Sequence, residues 1–326
     1  MRVPFSDLLC RDYVMKIALY DLDSKIPNLA IMRIAAFHKT KGDAVEAYSP
    51  LFKSHYDKIY VSTIFNFSDK SQLDPAQMDI GGSAWDLHKD LPPEIESQTP
   101  DYSFYNYPHS IGFSMRGCRF RCKFCVVPEK EGRPKTNNTI DEIWTQRDSD
   151  FVMLLDNDFF GNPEWRERIA EIQKHGLKVN FSQGLNIRTI TDEQTQALAS
   201  VKFVNSHATK RQVYFAWDRF NDERLIDAGI KRVMDAGIKA WQMAFYVLIG
   251  FDTTPEQDLY RVMKLKGLGC DPYAMPFDKS NEHQKRFSRW VNHRPIFNSV
   301  KWEDYRQSVK SASTFKDENQ GAMFAA

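Results

Sequence analysis

From residue 109 to residue 275 the chain repeats one pattern six times: a short apolar run, a polar turn, then a stretch with helical spacing. The apolar runs are Ile111 to Met115, Phe151 to Leu155, Val179 to Ser182, Gln212 to Ala216, Ala244 to Ile249 and Asp271 to Met275. The intervening stretches carry helix signals. Thr139-x-x-Glu142 reads as a capping box, Pro163 to Lys174 stops before Gly176, another helix opens near Thr191, and two more span Asn221 to Ala236 and Thr254 to Leu268. Six successive strand–helix steps predict a parallel sheet rolled into a partial (βα)6, TIM-like barrel.

The residues before this repeat follow a looser version of the same alternation. Lys16 to Tyr20 is a short apolar strand ending at Asp21, followed by a turn at Pro27-Asn28. A helix then buries Leu29, Met32, Ile34, Ala35 and Phe37 and stops at Gly42-Asp43. Ala44 to Tyr48 and Lys58 to Phe65 read as further strands, so a small Rossmann-like α/β domain over residues 1–108 is expected. Ile80-Gly81-Gly82-Ser83 marks a loop whose backbone approaches a neighbour or a ligand. The barrel would occupy 109–278, and 279–326 would form a C-terminal extension. From 279 to 310 that extension interleaves Phe287, Trp290, Phe297, Trp302 and Tyr305 with an excess of basic residues. The aromatic rings either pack over the barrel or stack on the bases of a nucleic acid.

Composition narrows the setting. With 42% hydrophobic and 27% charged residues, the chain can bury a core without disulfide staples. Its formal charge of +1 points to neither a nucleic-acid nor a membrane partner, which would have to be read from a local patch. No run of about 18 apolar residues exists, so no membrane partner is expected. The N-terminus lacks a secretory stretch, so the chain is expected in the cytoplasm. There, five cysteines with three inside eight residues read as a metal site rather than a disulfide framework.

Those three cysteines sit where a βα barrel keeps its chemistry, on a loop after the carboxyl end of a strand. Asp156, Asn157, Gln183, Asn186, Arg188, Asp218 and Asp252 share that location. Asp218 and Asp252 follow the fourth and fifth strands, where each would face substrate or cap the next helix. The cysteine segment reads Arg116-Gly-Cys118-Arg-Phe-Arg-Cys122-Lys-Phe-Cys125. Three thiolates on one tight loop can each take an iron of a cubane cluster and leave the fourth iron open. Arg116, Arg119, Arg121 and Lys123 would favour the thiolates and offset the cluster's negative charge. A structural zinc site would need a fourth ligand; Cys10 and Cys270 are distant, and no nearby histidine supplies one.

With its Cys-x3-Cys-x2-Cys spacing and Phe124 before the last cysteine, this loop resembles the signature of the radical SAM superfamily. The resemblance extends over roughly 109 to 275. It implies a [4Fe–4S] cluster on Cys118, Cys122 and Cys125, which chelates S-adenosylmethionine at the open iron. It also implies reductive cleavage to a 5′-deoxyadenosyl radical that abstracts hydrogen from a substrate, and an electron donor such as flavodoxin or ferredoxin. Asp156-Asn157-Asp158 stand where the family's motif binds the methionine amino group, commonly in a glycine-rich form. By the same resemblance Arg188 would pair with the methionine carboxylate, Gln183 and Asn186 would reach the ribose, and the strand ending at Gly250 would lie beside the adenine. The front domain resembles that of cobalamin-binding and methylthiotransferase members. No Asp-x-His-x-x-Gly stretch is present, and His38 fits an ordinary helix; a second cluster would need three cysteines where only Cys10 stands. A cobalamin-dependent methylase is thus the second enzymatic reading. A non-catalytic iron–sulfur or zinc module that binds nucleic acid is the alternative from another class.

Overall fold

The computed structural model describes residues 14–306, so Cys10 and the end of the C-terminal extension lie outside the described residues. Two compact units divide the chain, one through Tyr107 and the other from Pro108 onward. Both are mixed α/β with parallel sheets.

The first unit contains β1 (Lys16–Asp21), α1 (Leu29–Thr40), β2 (Ala44–Ala47), β3 (Lys58–Ser62), β4 (Asp79–Gly81) and a short α2 (Pro93–Glu96). Its four strands run parallel in the order β2-β1-β3-β4. Ile17 and Leu19 pack with Ile31, Ile34 and Ala35 on one face of the sheet, while Ala18 packs with Ile59, Val61 and Ile80 on the other. Burial on both faces explains why β1 reads as an unbroken apolar run. Asn28 opens α1 by accepting from the Ala30 and Ile31 amides, and its own amide donates to Ser62 Oγ at 2.8 Å. His38 is buried inside α1, with Nδ1 2.7 Å from Asp43 and Nε2 3.1 Å from the Tyr60 hydroxyl.

Strand order reverses between β1 and β3, the place where open α/β sheets bind ligands. Here the chain's own Asp23 fills that position. Its carboxylate accepts from the amides of Ile64 (2.8 Å) and Phe65 (3.0 Å) and from the Thr63 hydroxyl (3.0 Å). The close approach expected at the glycine pair is made to the Thr63 backbone. Gly82 has φ +102°, and a Cβ there would lie 2.2 Å from the Thr63 carbonyl oxygen. Only glycine fits such a position.

The second unit begins with β5 (Ser110–Gly112), β6 (Met115–Arg116), α3 (Val127–Lys130), β7 (Lys135–Thr136), α4 (Ile140–Ile143) and β8 (Phe151–Leu154). It continues through α5 (Trp165–Lys174), β9 (Lys178–Phe181), α6 (Asp192–Ala199), β10 (Lys202–Phe203), β11 (Val213–Ala216), α7 (Glu223–Asp235) and β12 (Met243–Ile249). It closes with α8 (Pro255–Gly267), β13 (Asp271–Pro276), α9 (Glu282–Asn292) and α10 (Arg294–Ser299). Two parallel sheets result, ordered β10-β9-β8-β5 and β11-β12-β13, with one parallel bridge from Leu185 to Phe215. Thr139, Thr191 and Thr254 each form a capping box. The strand expected over 111–115 is split, because the Ser114 and Met115 amides turn to the Asp156 carboxylate. β6 then pairs antiparallel with β7.

Val179, Phe181, Phe215, Phe245 and Val247 face the helices and join Ile169, Leu198, Ile226, Ile230 and Leu265 in one cluster. On the other face Tyr214, Ala244, Tyr246 and Met275 form a second. The aromatic residues of the C-terminal stretch belong to the first. Phe287, Trp290 and Phe297 are buried in it, Trp302 and Tyr305 pack against it, and Arg286 lies 4.3 Å over the Trp302 ring. Among the described residues no helix is long and apolar enough to cross a membrane.

Candidate functional site

The loop between β6 and α3 carries the three cysteines, and the β6–β7 pairing holds its root. Gly117 has φ +82°, and a Cβ there would fall 2.3 Å from the Arg133 carbonyl oxygen. Its amide donates to Glu131 Oε2 at 2.7 Å, and the Cys118 amide donates to the Gly132 carbonyl at 3.1 Å. At the far end the Cys125 amide donates to the Cys122 carbonyl at 3.0 Å. All three thiols are free and half-buried.

Burial pushes Cys118 up to about 12, with the charges of Asp158, Cys125 and Cys122 adding to the effect. Burial also raises Cys122 and Cys125, while Arg188 works in the opposite direction on Cys122. A loop of protonated thiols that repel as thiolates is stabilised by a cationic guest, whose binding releases the protons. Among the described residues no three His, Cys, Asp or Glu side chains gather as a single metal ion requires. A cubane makes a different demand, since each thiolate takes its own iron.

Two of the four nearby cations are already paired. Arg119 is gripped by the buried Asp158 through Nε (2.7 Å) and a terminal nitrogen (2.9 Å), and Arg116 pairs with Glu131 at 2.7 Å. Asp156 is a positioning residue: its carboxylate accepts from the Ser114 and Met115 amides and from the Ser114 hydroxyl. Asn157 donates to Glu131 at 3.2 Å. The 156–158 segment therefore braces the cysteine loop.

The residues after β9 and β11 point toward a ligand more directly. Gln183 Nε2 and Asp218 Oδ1 are buried and have no hydrogen-bond partner among the described residues. Burial raises Asp218 to about 6 against the pull of Arg261 and Arg188, and its charge is felt at Cys122 and Cys125. Asp218 caps no helix. Arg188 donates to Asp222 at 2.8 Å, and Asn186 accepts from the Arg188 backbone and Nε. Phe124 meets Phe251 at 5.4 Å between ring centroids, and Phe251 meets Phe277 at 4.8 Å. Gly250, with φ +74°, is constrained by α9, since a Cβ there would lie 2.0 Å from Gln284 Nε2. Asp252 is exposed at φ +53°, and Thr254 rather than Asp252 caps α8.

Glu131, Asp222 and Arg261 are the working residues that local patterns do not reveal. Arg261 is fully buried and donates to the carbonyls of Trp217 and Leu248 and to Asp258, each at 2.6 Å. It thereby ties together the ends of β11 and β12, beside Asp218.

The Asp156 carboxyl yields a test of this bracing. Burial lifts it to about 7 from an ordinary 3.8. Between those values the folded chain keeps a proton that the unfolded chain has lost, so this group lowers stability as pH rises. Asp156→Asn can preserve the contacts, with the Ser114 hydroxyl turning to accept from the new amide. The variant should gain on the order of 1 kcal/mol or more over wild type between about pH 5 and about pH 7.5, read from denaturant midpoints. An identical pH dependence in both proteins would refute the assignment.

No protein-family model matches the chain, and no curated protein matches it in sequence.

Proposed function

We propose that this chain is a radical SAM enzyme whose cluster is held by Cys118, Cys122 and Cys125. On this reading the two sheets of the second unit form one partial barrel, with the Leu185–Phe215 bridge as their seam. The observation that carries the proposal is the cysteine loop itself. Three half-buried thiols follow Gly117, fixed in a left-handed conformation at the carboxyl end of a strand, within one short loop. When bound, the cluster would deliver one electron to S-adenosylmethionine, giving the 5′-deoxyadenosyl radical that abstracts hydrogen from substrate.

The chain's own residues then have distinct tasks. Arg188, steadied by Asp222 and Asn186, offers positive charge beside Cys122 for a carboxylate. The unsatisfied Gln183 amide donates, and the unsatisfied Asp218 oxygen accepts; each is costly to leave buried without a polar partner. The Phe124–Phe251–Phe277 row shields one side from water.

Anaerobic reconstitution with iron and sulfide, followed by dithionite and S-adenosylmethionine, tests the reading. Formation of 5′-deoxyadenosine is expected. A fully loaded protein that forms none would favour the binding-module alternative, which predicts salt-dependent binding to nucleic acid without turnover.

A further inference from the structure

A cavity of about 270 Å³ opens at the amino ends of β11, β12 and β13, the opposite end of the strands from the cysteine loop. Its lining includes Lys210, Gln212, Tyr214, Asp271 and Arg294. Asp271 is its sole lining carboxylate and is already engaged, by Gln212 at 3.0 Å and by the Arg294 guanidinium. Lys210 is exposed and has no partner for its ammonium among the described residues. Positive charge therefore exceeds negative charge around the cavity.

The wall is built rather than incidental. Tyr214 is only 6% exposed and stacks on Tyr246 at 5.3 Å, with 10° between the ring planes. Its hydroxyl lies near Ser206 and feels the Arg294 charge. The loop that carries Lys210 is tightly tied. Asn205 Oδ1 accepts from the amides of Thr209 (2.8 Å) and Lys210 (3.1 Å), and the Asn205 amide donates to the Lys210 carbonyl at 3.0 Å. These bonds hold Ala208 at φ +54°, a left-handed conformation that costs a non-glycine residue energy and collects at ligand clamps.

We propose that this cavity binds the oxyanion end of a small molecule, a phosphate or a carboxylate group, between Lys210 and Arg294 with a hydrogen bond donated by Tyr214. The volume suits a compact anion, being near the lower end of small-molecule sites. The proposal is independent of the chemistry assigned to the cysteines.

Calorimetric titration of the full chain at fixed ionic strength in chloride tests it, with inorganic phosphate and malonate as separate probes. Lys210→Gln and Tyr214→Phe are the variants. The first removes an exposed side chain, and the second keeps the stacked ring. Saturable one-site binding of either probe is expected, and the probe that binds identifies the preferred group. Each variant should weaken it about tenfold, the value of one charge-assisted hydrogen bond, while Cys122→Ala should leave it unchanged. Absence of saturable binding for both probes would overturn the proposal. So would binding that both variants retain, or binding that Cys122→Ala abolishes.

Discussion

Alanine at Cys118, Cys122 or Cys125 is expected to strip iron from the reconstituted protein and to reduce 5′-deoxyadenosine to the level of a protein-free control. Each thiolate would hold a separate iron, so removing one opens a second corner of the cubane to water. The fold should survive, because the thiols are half-buried and the contact from the Phe120 amide to Cys118 Sγ is long, at 3.5 Å. Cys270→Ala is the matched control. That thiol is 6% exposed within the helix-facing core cluster, so its loss should cost about 1 kcal/mol of stability and no iron. Iron content, visible absorbance and product analysis on all four variants check the prediction. Full iron retention by any of the three loop variants would remove that cysteine from the ligand set.

Arg261→Met should be the most damaging single change away from the cysteines, at about 3–5 kcal/mol of unfolding free energy. The substitution keeps much of the volume and removes every donor. The carbonyls of Trp217 and Leu248 lose this donor, and among the described residues Asp258 keeps the Gly250 amide and the Thr253 hydroxyl. Asp218 also loses a positive charge that now lowers its pKa, so its carboxyl should titrate higher. Denaturant midpoints measure the first effect. A loss below about 1 kcal/mol would mean that the three bonds are largely replaced by water in the variant.

Much of the fold could be read from local pattern. Helices at 221–236 and 254–268 are found at Glu223–Asp235 and Pro255–Gly267, and the Thr139 box is present. Those signals are short-range: apolar period, a hydroxyl three residues before a glutamate or glutamine, a glycine stop. What local pattern misses is set by partners roughly forty residues away. Asp156 looks free to meet an ammonium until Ser114 is seen beneath it, and Arg188 looks free until Asp222 takes one of its nitrogens. Arg261 reads as an ordinary solvated helix residue because nothing near it in sequence announces the two carbonyls it holds. Two-residue strands such as β10 are too short to carry a period.

Asp23 gives the first unit a resident competitor. Any anion that reaches the carboxyl ends of β1 and β3 must displace a carboxylate that the chain itself carries two residues past the end of β1. Tethering sets an effective concentration on the order of millimolar or above, so free anions that bind these amides only weakly lose at ordinary cellular levels. A single exchange to alanine at this position would turn an occupied amide cradle into a vacant one without disturbing the strands that build it.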